Sequence, residues 1–88
     1  MTRREDPSRA LERKALGLRL QVLRAGTRMS QQEVAKALKV QRATVGAWEL
    51  GISELAALDA VRLADLFKVE VAVILGRAPM PEITVNQP

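Results

Sequence analysis

The chain has 88 residues, the size of one small domain, and carries 14 basic against 10 acidic residues for a net charge of +4. It contains no cysteine and no histidine, which excludes disulfides, thiolate chemistry, the commonest zinc ligand and the usual general base. No apolar run approaches the roughly 18–20 residues of a membrane span, and the charged N-terminus has no apolar core of a secretory signal. We therefore expect a cytoplasmic protein that is not an enzyme, uses no metal or other cofactor and has no membrane partner.

The basic charge is concentrated towards the N-terminus. Residues 1–28 hold eight Lys and Arg against three acids, residues 29–51 hold three against two, and residues 52–88 hold three against five. An excess of positive charge at one end suits a polyanionic partner, although a solvated helix face would show the same composition. Charge alone does not separate these two interpretations.

Residues 1–7 are predicted to form a flexible basic arm, followed by a first helix. The helix covers residues 8–25, with Asp6 as its N-cap and Pro7 in its first turn, or with Ser8 as the alternative cap. Its apolar residues form one row that a second set widens. The row is Leu11, Ala15, Leu18, Val22 and Ala25, and the second set is Leu16, Leu20 and Leu23.

Two glycines and three arginines of this helix also have predicted roles. Gly17 interrupts it at a cost of about 1 kcal/mol relative to alanine. Gly26 is expected to end it in the left-handed C′ position. Arg9, Arg13 and Arg19 lie off the apolar row, so we expect them to form a solvated face.

Residues 30–51 are predicted to be two short helices joined by a tight turn. Ser30 and Glu33 have the S-x-x-E spacing of a capping box, which starts the first of the pair. Residues 39–41 form the turn. Two helices this short need a larger helical core on which to dock.

The second helix of the pair has its own start and stop signals. Gln41 or Arg42 opens it, Val45 and Trp48 face inward, and Gly51 ends it as a C′ glycine. Two helices with so short a turn make a helix-turn-helix unit, whose second helix can lie in the major groove of DNA.

The remainder of the chain is predicted to contain two further helices and a tail. Ser53 is the expected cap of a fourth helix that ends near Lys68. Residues 70–75 form a fifth helix, although their propensity also allows a strand. The tail, residues 76–88, contains three prolines. Its residues 83–85 are β-prone and are either loose or paired with their twin in a dimer.

Several of these stretches together resemble a known family. They are LGLRLQVLR from Leu16, SQQEVA from Ser30, VQRATVGAWELG from Val40, LA at 63–64 and FKV at 67–69. In this order and spacing they closely resemble the phage repressor/Cro-type, or XRE-like, helix-turn-helix DNA-binding domain. The resemblance implies an all-α fold, a compact five-helix bundle of the lambda-repressor-like type over residues 8–75, between the arm 1–7 and the tail 76–88.

The resemblance also implies roles for individual residues. Arg24 and Glu49 would form a structural ion pair between the first helix and the recognition helix. Arg42 would contact a guanine, a pairing worth about 1–3 kcal/mol, and Gln31 would donate to a phosphate. The implied DNA-binding residues are Ser30, Gln31, Gln32, Gln41, Arg42, Ala43, Thr44, Gly46 and Ala47.

One segment departs from the family pattern. The loop after the recognition helix usually supplies basic residues, but here Glu54 would repel phosphate. The arm, with Arg3, Arg4 and Arg9, is the candidate to compensate. Apolar residues of this loop belong either to the core or to a partner surface; they are Leu50, Ile52 and Leu55.

The resemblance implies a sequence-specific transcriptional regulator of double-stranded DNA. It would place residues 42–50 in the major groove and act as a homodimer on a pseudo-palindromic operator, associated with the nucleoid when bound. A repressor of a phage or mobile element fits, as does an antitoxin whose tail holds a cognate toxin. The alternative is a protein-interaction adaptor or antitoxin module with the same fold and little direct DNA binding.

Overall fold

The structure, a computed structural model, describes residues 6–82, which form five helices and no strand. The helices are α1 (Pro7–Gly26), α2 (Gln31–Leu38), α3 (Arg42–Glu49), α4 (Ala57–Phe67) and α5 (Val71–Ile74). The prediction of an all-α five-helix bundle is confirmed. Arg3 and Arg4 of the arm and the β-prone residues 83–85 lie outside the described residues.

The ends of α1 follow from local hydrogen bonds. Asp6 is the N-cap, and its carboxylate accepts from the Ser8 amide at 3.0 Å. The prediction for the other end is wrong, because Gly26 is the last residue of the helix. Arg28 adopts the left-handed conformation instead, with φ of 60°. The chain reverses there because the Met29 amide reaches back to the Arg24 carbonyl.

The two apolar sets of α1 have opposite environments. Leu20 and Leu23 are buried at 2% and 4% exposure. The row that the sequence placed at the centre of the apolar face is exposed, with Leu11 at 68% and Leu18 at 57%. That prediction is wrong because α1 carries apolar residues on two opposite sides, and periodicity alone does not say which side the rest of the domain covers.

Gly17 is a site of close helix packing. A Cβ on this residue would lie 2.6 Å from the Trp48 carbonyl oxygen and closer still to that of Glu49. Glycine therefore allows α1 to approach the last turn of α3. The sequence indicated the propensity cost of Gly17 but not this packing role.

The helix pair forms as its local signals predict. The Ser30 hydroxyl accepts from the Glu33 amide at 3.0 Å, and the Glu33 carboxylate accepts from the Ser30 amide at 2.8 Å, which completes the capping box. Lys39 makes the turn with φ of 59°. Gly51 follows α3 with φ of 74° against the backbone of Lys14, a position that only glycine fits without strain.

The start of α4 differs from the prediction. Its N-cap is Ala56, not Ser53. The Ser53 amide bonds the Ala47 carbonyl at 3.4 Å, which keeps Ser53 in the turn that closes α3. The helix ends at Phe67, its C-cap Lys68 is left-handed with φ of 58°, and the next stretch is helical as predicted.

The first part of the tail packs on the domain. The Arg77 amide bonds the Ala72 carbonyl at 2.8 Å, and Ala78 and Met80 are partly buried against the core. No helix within residues 6–82 is long and apolar enough to cross a membrane. The core takes residues from all five helices: Leu20, Leu23, Val34, Ala35, Leu38, Val45, Trp48, Ala60, Leu63, Ala64, Phe67, Val73 and Ile74.

Candidate nucleic-acid interface

The residues proposed to contact DNA lie at the N-terminal end of α2 and along α3. Five of them are exposed: Ser30, Gln32, Gln41, Arg42 and Ala43. Four are partly buried: Gln31, Thr44, Gly46 and Ala47. The Ser30 side chain is used by the capping box, whereas Gln41, the N-cap of α3, makes no side-chain capping bond. Because the first amides of a helix point outward along its axis, both helix starts can face an anion.

A buried ion pair fixes α1 against α3. Glu49 is 4% exposed and is the one buried charged residue among those the structure describes. Arg24 Nε donates to Glu49 Oε2 at 2.6 Å, and Arg24 Nη2 donates to Oε1 at 3.0 Å. This carboxylate raises the pKa of Arg24, mainly through the hydrogen bond. Two-point contact sets the angle between the helices more tightly than a single contact would.

The same carboxylate is linked to the exposed start of α3. Gln31 Nε2 donates to Glu49 Oε1 at 2.9 Å, and Arg42 Nη1 donates to Gln31 Oε1 at 3.2 Å. The chain of contacts therefore runs from Arg24 in α1 to Arg42 on the surface. The family resemblance implies a phosphate contact for Gln31, whereas in the structure Gln31 connects two protein groups. Its amide nitrogen carries a second hydrogen, which Glu49 leaves available to an external acceptor.

The outward side of α3 is lined by small residues. A Cβ added at Gly46 would find its nearest neighbours, the Gln31 amide atoms, at 3.9 Å, an ordinary van der Waals distance, so a methyl group would fit there. Ala43 and Ala47 present only methyl groups. Leu50, seven residues after Ala43 and 63% exposed, lies on the same side of the helix. A surface this shallow allows a groove floor to approach the helix backbone.

Three exposed basic residues that the sequence analysis did not select lie in α2 or next to it. Lys36 is exposed one turn after Gln32 on the same side of α2, and Lys39 is exposed in the turn. Arg28 is exposed in the loop before α2. The i, i+4 spacing from Gln32 is the signal that identifies Lys36. Nothing in the sequence pattern marks Arg28.

The loop after α3 has two arginines from α1 against it. Arg9 forms an ion pair with Glu54 at 2.6 Å, and Arg13 Nε donates to the Gly51 carbonyl at 2.9 Å. The hydrogen bond from Arg9 lowers the pKa of Glu54. Arg19 also leaves the expected solvated face, because its Nε donates to the Ile74 carbonyl at 3.0 Å. The prediction of a solvated arginine face is therefore wrong for Arg13 and Arg19, which are partly buried against other elements, whereas Arg9 remains exposed.

The repulsion expected from Glu54 is reduced by the same contact. Arg9 places positive charge within hydrogen-bond distance of that carboxylate, which lowers the net negative charge of the loop. Both side chains are more than half exposed, so the pair itself adds little stability.

The comparison with known families identifies this arrangement. The family model described as Helix-turn-helix matches residues 20–74, which runs from the second half of α1 to the end of α5. The chain belongs to this helix-turn-helix family. The match confirms the resemblance to the Cro/C1-type, XRE-like domain. No curated protein and no solved structure matches the chain.

Membership assigns the helix-turn-helix domain to a family of DNA-binding regulators. The matched region contains α2, α3 and the Glu49–Gln31–Arg42 chain of contacts, whereas Arg9 and Arg13 lie before it. Within residues 6–82, no group of three or more acidic side chains is placed to hold a metal ion.

Proposed function

We propose that this helix-turn-helix domain is a sequence-specific transcriptional regulator that places α3 in the major groove of double-stranded DNA. In this proposal Arg42 contacts the O6 and N7 atoms of a guanine. Ala43 and Ala47 lie against thymine methyl groups or the groove floor. Gln31, Gln32 and Gln41, together with the exposed amides at the helix starts, bind phosphates and set the register.

The observation that carries this proposal is the chain of contacts from Glu49 through Gln31 to Arg42. A long arginine side chain on a surface loses rotamer entropy when it is fixed on a base. Here Nη1 of the Arg42 guanidinium donates to Gln31 at 3.2 Å, and Gln31 in turn donates to the buried Glu49 carboxylate. The guanidinium has five N–H donors, so four remain for DNA. Such preorganisation reduces the entropy lost on binding.

The regulator acts as a dimer that binds two half-sites one helical turn apart, because a recognition helix of two turns reads too few base pairs alone. Occupancy of a promoter then represses transcription. A phage or mobile-element repressor and a toxin-neutralising antitoxin both fit this description. In the second case the tail, residues 76–88, would contact the cognate toxin.

The proposal is tested by fluorescence anisotropy with the duplex upstream of the protein's own gene and an unrelated duplex of equal length. Wild type should prefer the upstream duplex. Arg42→Ala should lose that preference, because the guanine contact is worth about 1–3 kcal/mol. The matched control is Arg62→Ala, which removes an arginine from α4 that is half exposed and lies 3.7 Å from Asp59. It should bind as wild type does.

Salt dependence separates base reading from charge. Loss of a base contact should change the slope of log affinity against log salt concentration by no more than about the contribution of one phosphate contact. Lys39→Ala should instead weaken binding to both duplexes alike and reduce the slope. Equal weak binding of both duplexes by wild type, with no effect of Arg42→Ala, would count against the proposal.

Exposed apolar residues next to α3 favour a second candidate, a protein-interaction adaptor. Leu50 and Ile52 are 63% and 69% exposed, and Glu54 lies in the same loop. A surface that is apolar and partly acidic suits a protein better than a phosphate backbone. The adaptor predicts that Ile52→Asp abolishes partner binding while Arg42→Ala leaves it intact. The regulator predicts that Arg42→Ala weakens DNA binding and that Ile52→Asp leaves it intact.

A further inference from the structure

We propose that the exposed apolar row of α1 is a homodimer surface, on which the α1 helix of a second copy packs in antiparallel orientation. The row, called the α1 seam below, consists of Leu11, Ala15, Leu18 and Val22. This inference names a surface for the dimer of the proposed function, but it concerns a different side of the domain from α3 and its test requires no DNA, so either can fail without the other.

The α1 seam faces away from the core of its own domain. Its members follow at intervals of four, three and four residues, so they form one straight row along the helix. The buried Leu20 and the packed Leu16 lie on the opposite side, and Gly17 turns towards α3. Leu11, Leu18 and Val22 are exposed at 68%, 57% and 44%. A helix in an isolated domain would normally place polar residues there.

The spacing identifies the occupant as another helix with the same spacing. Apolar residues at alternating intervals of three and four are the pattern by which two helices pack along a common seam. A second copy supplies this pattern by symmetry, and a two-fold axis closes the assembly at two copies.

Size complementarity favours one antiparallel register. When Ala15 lies opposite Leu18 of the second copy, Leu11 lies opposite Val22 of that copy. Each small residue then faces a larger one, and the two-fold axis repeats both contacts. All four seam residues are buried in this register. A shift of one heptad in either direction would leave only two of the four seam residues opposite another seam residue.

Charge selects the same orientation. Glu12 and Arg19 lie on one flank of the seam, and Lys14 lies on the other. In the antiparallel register Glu12 approaches Arg19 of the second copy, an attractive pair that occurs twice. A parallel arrangement would place Lys14 beside Arg19 of the second copy, which is repulsive. Arg19 is already oriented by its hydrogen bond to the Ile74 carbonyl at 3.0 Å.

The DNA surface stays accessible in this dimer. The recognition helix α3 packs against the Gly17 side of α1. Its residues Ala43 and Ala47 are on the side of α3 that faces away from α1. The α1 seam spans about 16 Å of helix axis. An interface of that length is at the small end of specific interfaces, so we expect a dissociation constant in roughly the micromolar range.

Sedimentation velocity of the full chain without DNA, from about 1 to several hundred micromolar, tests the surface. Wild type should pass from monomer to dimer with concentration. Leu18→Glu should raise the dissociation constant at least tenfold and keep the wild-type far-UV circular dichroism. The matched control is Leu58→Glu, at a leucine of α4 that is 77% exposed. It should dimerise as wild type does. A wild-type chain that stays monomeric, or a Leu18→Glu chain that dimerises normally, would overturn the proposal.

Cross-linking tests the orientation, because the natural chain has no cysteine. The double variant Leu11→Cys/Val22→Cys should form a covalent dimer on oxidation. Its two cysteines lie about 16 Å apart within one helix and cannot pair there. The single variant Leu18→Cys should not cross-link, because Leu18 of one copy lies opposite Ala15 of the other, three residues away from the second Leu18. A parallel in-register pair would bring each seam residue beside its own twin and would cross-link both variants. Efficient cross-linking of Leu18→Cys, or failure of the double variant to cross-link, would therefore contradict the antiparallel register.

Discussion

Replacing Gly17 by alanine should destabilise the fold, although alanine is the better helix former. Helix propensity favours the change by about 1 kcal/mol. The added methyl carbon, however, would lie 2.6 Å from the Trp48 carbonyl oxygen. An ordinary contact requires roughly 0.8 Å more, and the obstacle is the backbone of α3 rather than a mobile side chain. Helix α1 must therefore move away from α3.

The expected magnitude follows from overpacking and from the contacts that the movement disturbs. Overpacking costs about 1–3 kcal/mol. The shift also lengthens the bond from Gln21 to the Glu49 carbonyl, now 2.9 Å, and strains the bonds between Arg24 and Glu49. We expect a net loss of about 2 kcal/mol in the free energy of unfolding, which corresponds to roughly 8–16 °C in melting temperature for a domain of this size.

The assay is chemical and thermal unfolding followed by circular dichroism, with Gly46→Ala as the matched control. That substitution has the same chemistry in another helix, but its new methyl group has nothing nearer than 3.9 Å. It should stabilise the domain by up to about 1 kcal/mol. If Gly17→Ala were as stable as Gly46→Ala, the close approach of α1 to α3 would be wrong.

Three further predictions concern other contacts. Arg24→Ala should lower the free energy of unfolding, measured in urea, by about 3 kcal/mol because it leaves the buried Glu49 carboxylate without its cation, and a loss below about 1 kcal/mol would contradict the burial of that carboxylate. Lys68→Gly should stabilise by about 1 kcal/mol, since lysine is strained at its φ of 58°; a lower melting temperature would contradict this. Stability should also fall on acidification. Hydrogen bonds from the Ser30 amide and from the Arg9 side chain lower the folded-state pKa of Glu33 and of Glu54, so the unfolded chain takes up protons first as the pH drops through the ordinary value of 4.5. The Glu33→Gln variant should lose less stability than wild type between pH 7 and pH 3, and an equal loss would refute that assignment.

The fold was predictable where a few neighbouring residues determine the structure. The capping box of Ser30 and Glu33, the left-handed glycine at Gly51 and the inward Val45 and Trp48 are all local signals. Each depends on spacing within one or two turns, which the sequence displays directly. The order of five helices follows from these signals.

The errors concern residues whose role is set by distant parts of the chain. Whether Leu18 or Leu20 faces the core depends on where the other helices pack, not on the period of α1. Gly17 looks like a helix interruption until α3 is seen against it. Ser53 resembles an N-cap, but its amide bonds the carbonyl of Ala47 in the turn that closes α3, and α4 starts after Ala56.

The candidate site shows the same division. The positions on α3 that could face DNA follow from the helical period and from the family resemblance. The link between Gln31 and Arg42 joins residues 11 apart, and Arg9 meets Glu54 across 45 residues. Contacts at such separations depend on tertiary packing, so the sequence offered no signal for them. They nevertheless determine the orientation of Arg42 and the charge near α3.

The most direct test of base reading by Arg42 is an in vitro selection of bound duplexes from a random library, followed by sequencing, for wild type and Arg42→Ala in parallel. The proposal predicts that wild type enriches a pseudo-palindromic motif with a fixed guanine in each half-site. Arg42→Ala should recover the same motif with that single position degenerate. No enriched motif for wild type, or an unchanged motif for Arg42→Ala, would contradict the proposed role of α3.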